Sequence, residues 1–503
     1  MNDIIKLIFL LAYLLPAYCI AQVRPGEGSK LNYRIIGFSF PTLPGATAYK
    51  VEIMRGNIKS EELFIPQTIK PVITTTNKAI IEVPEFGQDY TWRVTDNKNN
   101  KSIGNLHHFS TLKNKKCDTN NYRLRIIQQA EICKNALVFN DKNKVMYNMK
   151  GEPVWFLPDI KDVIDDYSVV RDLKITPQNT ITFLTFNMAY EINYDAQILW
   201  SAPNNGLISG DSEEHYHHEV TRLANGHYMV LAEEIIPFEW KHNDNGDSTL
   251  KLLEKPKIKN AQRWPGKHLQ MGTIIEYDEK GNVVWSWKSS TYYKDEQLKK
   301  LITPQGLNET HENAFWFDEK NKIIYISFKN TYQLLKVKYP EGTVMAAYGG
   351  LEYNSKGEIT SLFSEQHACK RAQNGNILLY NNNMAHPSQL PNVLILREPA
   401  NRKDNLKQVW KYEYPETIPN GKREIPTSGG NITELPGNAY FVSTCVPFAN
   451  IYIVNRNKKL LWDAVLEYCE PLENKWEPAP QYRASIILNK ERLEKVIWKA
   501  AEL

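Results

Sequence analysis

The chain has 503 residues, 42% of them hydrophobic and 23% charged, with a net charge of +4. That length exceeds what one hydrophobic core normally supports, so two or more domains of ordinary globular composition are expected. The near-balanced charge supplies no field that would recruit nucleic acid or a membrane surface, and neither is expected as a partner.

Residues 1–21 read as a secretory signal peptide. Lys6 precedes an apolar run from Leu7 to Leu15, and Ala17-Tyr18-Cys19-Ile20-Ala21 gives the small-residue exit. The run is too short for a comfortable membrane span. Pro16 and Tyr18 argue against a lipid-modified Cys19. A periplasmic or secreted location is expected. Export permits disulfides, so Cys117 with Cys133 and Cys445 with Cys469 are candidate pairs, with Cys369 left over; spacing does not fix the connectivity.

Residues 22–112 read as a small immunoglobulin- or fibronectin-III-like β-sandwich. Tyr33 to Phe40, Ala48 to Ile53 and Tyr90 to Val94 alternate as strands, and Pro41-Thr42-Leu43-Pro44-Gly45-Ala46 is turn chemistry. Residues 113–133 read as a linker.

From residue 134 to 488 the chain repeats itself. An apolar pair ending in tryptophan recurs as Val154-Trp155, Leu199-Trp200, Val284-Trp285, Val409-Trp410 and Leu461-Trp462, and Gly342-Thr343-Val344-Met345-Ala346 stands where one more copy is due. Six strand-like repeats predict an all-β, six-bladed propeller. Pro237 to His268 and Ser289 to Leu301 read as insertions, the second as a short helix. Residues 489–503 predict a terminal helix, with Asn489 as cap and Leu493, Val496, Ile497 and Ala500 on one face.

A second repeated word carries the chemistry. His218 and His367 each stand seven residues before a hairpin Asn-Gly, and His311-Glu312-Asn313 precedes Phe315-Trp316-Phe317-Asp318 at the matching place; Gly429 holds that position in another repeat. Equivalent positions of a propeller lie on one ring, so the three histidines converge, and the channel is the expected place. Imidazoles gathered there suit nucleophilic and acid–base work. No acidic residue accompanies them at the ring position, so no divalent metal is expected. No P-loop or dinucleotide glycine pattern is present, so no cofactor is expected either. Tyr482-Arg483 reads first as a core tyrosine and a surface arginine, and second as a pair closing the pocket. Cys369, two residues after His367 on a strand, should share its face.

These words resemble those of the bacterial aryl-sulfate sulfotransferases, the PAPS-independent enzymes that do not use the nucleotide sulfate donor. The words are Gln366-His367 with Asn374-Gly375-Asn376-Ile377-Leu378-Leu379-Tyr380-Asn381-Asn382, His311-Glu312-Asn313, and His217-His218-Glu219 with its hairpin. The resemblance spans nearly the whole mature chain and implies a β-sandwich followed by a six-bladed propeller. It implies an aryl sulfate donor, a phenolic acceptor and a sulfohistidine on His367, supported by His218, His311 and Asn313. The family's arginine falls on Lys329, which keeps the charge and loses the planar fork. Its hydroxyl residue falls on Ser428 or neighbouring Thr427, with Ser428 preferred. Two other readings stay open from the residues alone: a metal-dependent lyase or hydrolase with His218, His311 and His367 as ligands, and a non-catalytic glycan- or protein-binding propeller. Association as a homodimer also stays open.

Overall fold

A computed structural model describes residues 23–65, 69–242, 248–253, 268–293, 298, 308–386, 389–401, 404–415 and 427–502. The expected signal segment lies outside the described residues, as does most of the helix expected after Ser289, of which a 3-10 turn at Ser289–Thr291 is described. The chain is nearly all β and divides between Asn114 and Lys115 into two compact units.

The first unit holds two sheets. Ser29–Leu31, Ser102–Thr111, Asp89–Asp96, Tyr49–Arg55 and Val72–Thr74 form one, in that spatial order, and Ile35–Ser39 pairs with Lys78–Glu82 in the other. Alternation sends Phe38 and Trp92 inward, where their rings meet edge to face at 5.0 Å.

The second unit holds six sheets among its described residues, taken here in chain order. The second sheet is Arg171–Ile175, Ile181–Leu184, Ala189–Ile192 and Ile198–Ser201. The third is His215–Arg222, Tyr228–His242, His268–Tyr277 and Val283–Lys288, with Ser248–Leu252 on the extension of its second strand. The fourth is Glu312–Asp318, Ile323–Phe328, Gln333–Lys338 and Val344–Gly349. The fifth is His367–Arg371, Ile377–Asn381, Asn392–Arg397 and Lys407–Glu413. The sixth is Asn431–Leu435, Ala439–Ser443, Asn450–Asn455, Leu460–Glu470 and Lys475–Pro478. The first breaks the pattern: Leu137–Asn140, Val145–Asn148 and Pro153–Phe156 are joined by Ala484–Ile487, whose Ala484 pairs with Asn140. Tyr122–Gln128, inside the segment read as a linker, is a strand paired with Leu460–Glu470. The apolar positions Leu124 and Leu466 face each other in that pair, which is why the segment is structured.

The repeated tryptophans explain how consecutive sheets meet. Each sits in the last or outer strand of a sheet, and its indole N–H reaches the turn before the last strand of the next. Trp155 donates to the Tyr194 carbonyl (2.9 Å), Trp285 to Pro340 (2.7 Å), Trp410 to Arg456 (2.8 Å) and Trp462 back to Met149 of the first sheet (3.1 Å). A buried indole favours such a partner, so these four words each supply apolar area and one directed bond. Trp200 instead stacks on Tyr228 of the third sheet at 3.7 Å.

The terminal helix runs Lys490–Glu502 and buries Leu493, Val496, Ile497 and Ala500. Asn489 caps it, its side-chain oxygen accepting from the Arg492 N–H at 2.8 Å. Among the described residues the five cysteines are free, and neither candidate pair is joined. Cys445 is enclosed in the core beside Tyr380, whereas Cys469 faces Asn474 from the partly exposed end of its strand.

Candidate functional site

Four sheets bring their first strands together with the backbone out of register. Pairing slips between Arg171 and Lys174, Tyr216 and Val220, Glu312 and Ala314, and His367 and Cys369. Asp172, His218 and Ala368 take positive φ at these slips, and His311 does so just before its own. Left-handed backbone costs a residue with a Cβ about 1 kcal/mol or more. Bulges of this kind re-aim side chains, and strain of this kind gathers at functional sites.

The result is a group of histidines. The rings of His218 and His311 are 5.0 Å apart. His217, from the same word, meets His218 through a 2.8 Å Nδ1–Nδ1 hydrogen bond. The Tyr482 ring lies 5.8 Å from His218 and 5.9 Å from His367, linking the two. A cavity of about 310 Å³ opens beside them, lined by Arg171, Phe186, His217, His218, Glu309 and His311 among others. His367 sits behind it and is 1% exposed.

Hydrogen bonds fix the tautomers. His367 Nδ1 lies 2.8 Å from Asn382 Oδ1 and 3.0 Å from the Glu365 carbonyl. Both partners only accept, so Nδ1 carries the proton and Nε2 keeps its lone pair. Asn382 is held in turn by donating to Thr427 Oγ1 (3.2 Å) and the Gly429 carbonyl (3.3 Å). His311 Nδ1 lies 2.8 Å from the Glu309 carboxylate. Burial pushes that carboxyl up, but the hydrogen bond and charge of His311 reverse the effect and hold it at about 2. Burial, then the neighbouring cation Arg483, holds His367 well below the ordinary histidine value. Enclosure and the adjoining histidines do the same for His218. Both are therefore neutral nucleophile or base candidates near pH 7.

The other expected residues divide. Asn313 is fully buried and donates from Nδ2 to the Gln366 carbonyl at 2.7 Å, anchoring the residue before His367. Lys329 borders the group: its backbone N–H bonds the His311 carbonyl at 2.9 Å, and its Nζ lies 3.5 Å from Glu365. Ser428 is exposed and pairs by backbone with Val446, so Thr427 is the hydroxyl that reaches the network. Cys369 does not share the face of His367. The bulge at Ala368 breaks the alternation, and the thiol turns into the core, 3.5 Å from the Tyr325 carbonyl. Acidic residues do accompany the histidines, as Glu309 demonstrates. Among the described residues no group of three or more His, Cys, Asp or Glu is placed to hold a metal ion.

Arg171 carried no sequence signal, and Tyr482-Arg483 carried pocket closure only as a second reading. Arg171 lays its guanidinium 4.8 Å over the Tyr482 ring and makes no ion pair among the described residues. The Tyr482 hydroxyl is buried without a hydrogen-bond partner. Arg483, expected at the surface, is 5% exposed. It donates to the Asn313 carbonyl (2.7 Å), the His218 carbonyl (3.3 Å) and the Asp172 carboxylate (3.3 Å), tying together backbone of two sheets and a side chain of a third.

Residues 112–415 match the sequence family described as Arylsulfotransferase (ASST). No curated protein sequence matches the chain. Among solved structures, a protein of unknown function from Bacteroides caccae is 12% identical with a TM-score of 0.38, covering 68% of this chain and 93% of its own. A gluconolactonase from Xanthomonas campestris is 9% identical with a TM-score of 0.34, covering 68% of this chain and 90% of its own.

Proposed function

The chain belongs to the arylsulfotransferase family, and on that premise we propose that it transfers a sulfuryl group from an aryl sulfate to a phenol through a sulfohistidine on His367, with no nucleotide donor. The observation that carries this reading is the double acceptor on His367 Nδ1, which leaves a neutral, buried Nε2 lone pair beside the other histidines.

In the first displacement Nε2 of His367 forms a bond to sulfur as the bond from sulfur to the aryl oxygen breaks. The departing phenolate takes a proton from Nε2 of His311, whose Nδ1 proton faces Glu309. In the second, an acceptor phenol returns a proton to His311 and its oxygen attacks sulfur, breaking the N–S bond and restoring His367. Such transfers depend on positioning and on stabilising the equatorial oxygens. Arg171 and Lys329 supply positive charge for those oxygens, and the Tyr482 hydroxyl is a donor awaiting an acceptor. Arg171 offers the planar fork that lysine at 329 lacks. Phe186 and Val169, 83% and 61% exposed at the cavity, offer apolar surface to an aryl ring.

The same reading makes the six sheets of the second unit the blades of a propeller, closed where Ala484–Ile487 completes the first, and makes the two sheets of the first unit a sandwich of immunoglobulin or fibronectin-III type. It also takes residues 1–21 as an export signal, placing the enzyme in the periplasm or outside the cell. No helix among the described residues is long and apolar enough to cross a membrane.

The test is incubation with an aryl sulfate alone, an alkaline quench, and mapping of the added sulfuryl group by mass spectrometry. The label is expected on His367 and absent from His367→Ala, which should also lose transfer to phenol. An active enzyme labelled elsewhere, or never labelled, would falsify the assignment.

A further inference from the structure

The strands that begin at the histidines end at a second, larger cavity. It holds about 870 Å³ and opens between the exposed turn residues Lys320, Asn321, Gln373 and Asn374. Its deep end is Arg483, the same side chain that braces the histidine group. The transfer chemistry uses none of its other residues.

The charges at its deep end do not cancel. Lys174 lies 2.7 Å from Asp172 and 3.4 Å from Glu219. Arg483 lies 3.3 Å and 3.5 Å from the same two carboxylates. Among the described residues Lys370 hydrogen-bonds only neutral groups, Asn431 Oδ1 at 2.8 Å and Thr433 Oγ1 at 3.0 Å. Three cations therefore face two carboxylates. Burial lowers the Lys370 ammonium to about 8 against the pull of Glu219, so it is still largely charged at neutral pH. Burial also raises Asp172, opposed by Lys174 and Arg483. Asp141, behind Arg483 and bonded to its backbone N–H, is raised by burial to about 7 and offsets little more than half a charge at neutral pH.

Two buried polar atoms on the cavity wall lack partners: Arg483 Nε and Thr182 Oγ1, in residues 5% and 0% exposed. Buried donors are normally satisfied, so an unpaired one on a cavity wall points to a missing acceptor. Nearer the opening stands Trp316, a 37% exposed indole on the same wall.

We propose that this cavity is a second binding site, for an organic anion whose carboxylate or sulfonate head is held by Lys370 and Arg483 and whose flat apolar body lies against Trp316. The volume suits such a molecule and is many times that of a bare ion. The site stands apart from the histidine cavity and shares with the histidine group only the bracing side chain Arg483.

Calorimetric titration of the full chain with benzenesulfonate tests this, because its carbon–sulfur bond prevents sulfuryl transfer. Two binding events are expected. Arg171→Ala should suppress the one at the histidines. Lys370→Met should weaken the other about tenfold or more, the loss of a charge-assisted contact. Trp316→Leu, a surface change, should weaken that same event several-fold and decides the matter if Lys370→Met does not fold. No binding, a single event removed by Arg171→Ala, or a second event indifferent to both Lys370→Met and Trp316→Leu would overturn the proposal. A chain that transfers sulfuryl groups yet lacks the second event rejects this site alone. A chain with the Lys370-dependent event and no transfer activity rejects only the transfer reading.

Discussion

At the scale of single residues, the site separates charge that is already engaged from charge that is not. Lys329 has Glu365 within 3.5 Å, whereas Arg171 lies over the face of Tyr482 and makes no ion pair among the described residues. Both should matter to a transferring sulfuryl group, so Arg171→Ala and Lys329→Ala are each expected to lower turnover about 100-fold, the usual loss when a charge aimed at a transition state is removed. Lys329→Arg should be tolerated. Steady-state kinetics with an aryl sulfate check this, and wild-type turnover in either alanine variant would remove that residue from the sulfate site. The depressed basicity of His367 and His218 makes a second prediction. A histidine of ordinary value loses its lone pair to a proton as pH falls through about 6.5. Here the neutral form persists below that, so the acid limb of kcat/KM should lie clearly under pH 6.5. A limb at 6.5 or above would mean that the nucleophile is not enclosed as described. The cations facing His367 are Arg483 and Lys329, and Lys329→Ala should therefore move the limb upward.

At the scale of elements, the sequence announced some features and concealed others, and the reason is physical. The tryptophan words were legible because packing one sheet on the next favours a large apolar side chain at a fixed place, and five of the six repeats carry it. The capped terminal helix was legible because its burial follows the 3.6-residue period. A bulge leaves no such trace: it is a change of backbone angle, and the letters His367-Ala368-Cys369 read as plain alternation. That is why Cys369 was placed on the wrong face. Arg483 was misread for a related reason, since a lone arginine near the end of a chain says nothing of the carbonyls it will meet. Between Thr427 and Ser428 the letters favoured Ser428, whereas it is the Thr427 hydroxyl that bonds Asn382. The same element carries Gly429, at φ +84°, where an added Cβ would stand 2.1 Å from the Tyr482 carbonyl oxygen. Gly429→Ala should therefore displace Tyr482, lowering both turnover and stability, the latter by about 1 kcal/mol or more. Thermal unfolding and an aryl sulfate assay measure the two. A variant that matches wild type in both would show that the close approach is not needed.

At the scale of the whole second unit, its first sheet is completed from the far end of the sequence. Ala484 pairs with Asn140, and the Trp462 indole reaches Met149. Ending the chain before Ala484 should abolish cooperative unfolding of the unit and leave it open to protease, whereas Trp462→Phe, which removes one buried hydrogen bond, should cost only about 1–2 kcal/mol. Native-like protease resistance in the shortened chain would contradict this. The closing strand follows directly on Tyr482 and Arg483, so the parts that finish the architecture and the parts that finish the histidine group leave the ribosome together. A nascent chain can carry His218, His311 and His367 for the time it takes to add more than a hundred further residues and still have nothing to hold them in place. Order at the histidines thus waits on the strand that closes the first sheet, so local structure there is a late event set by the topology of the sheets.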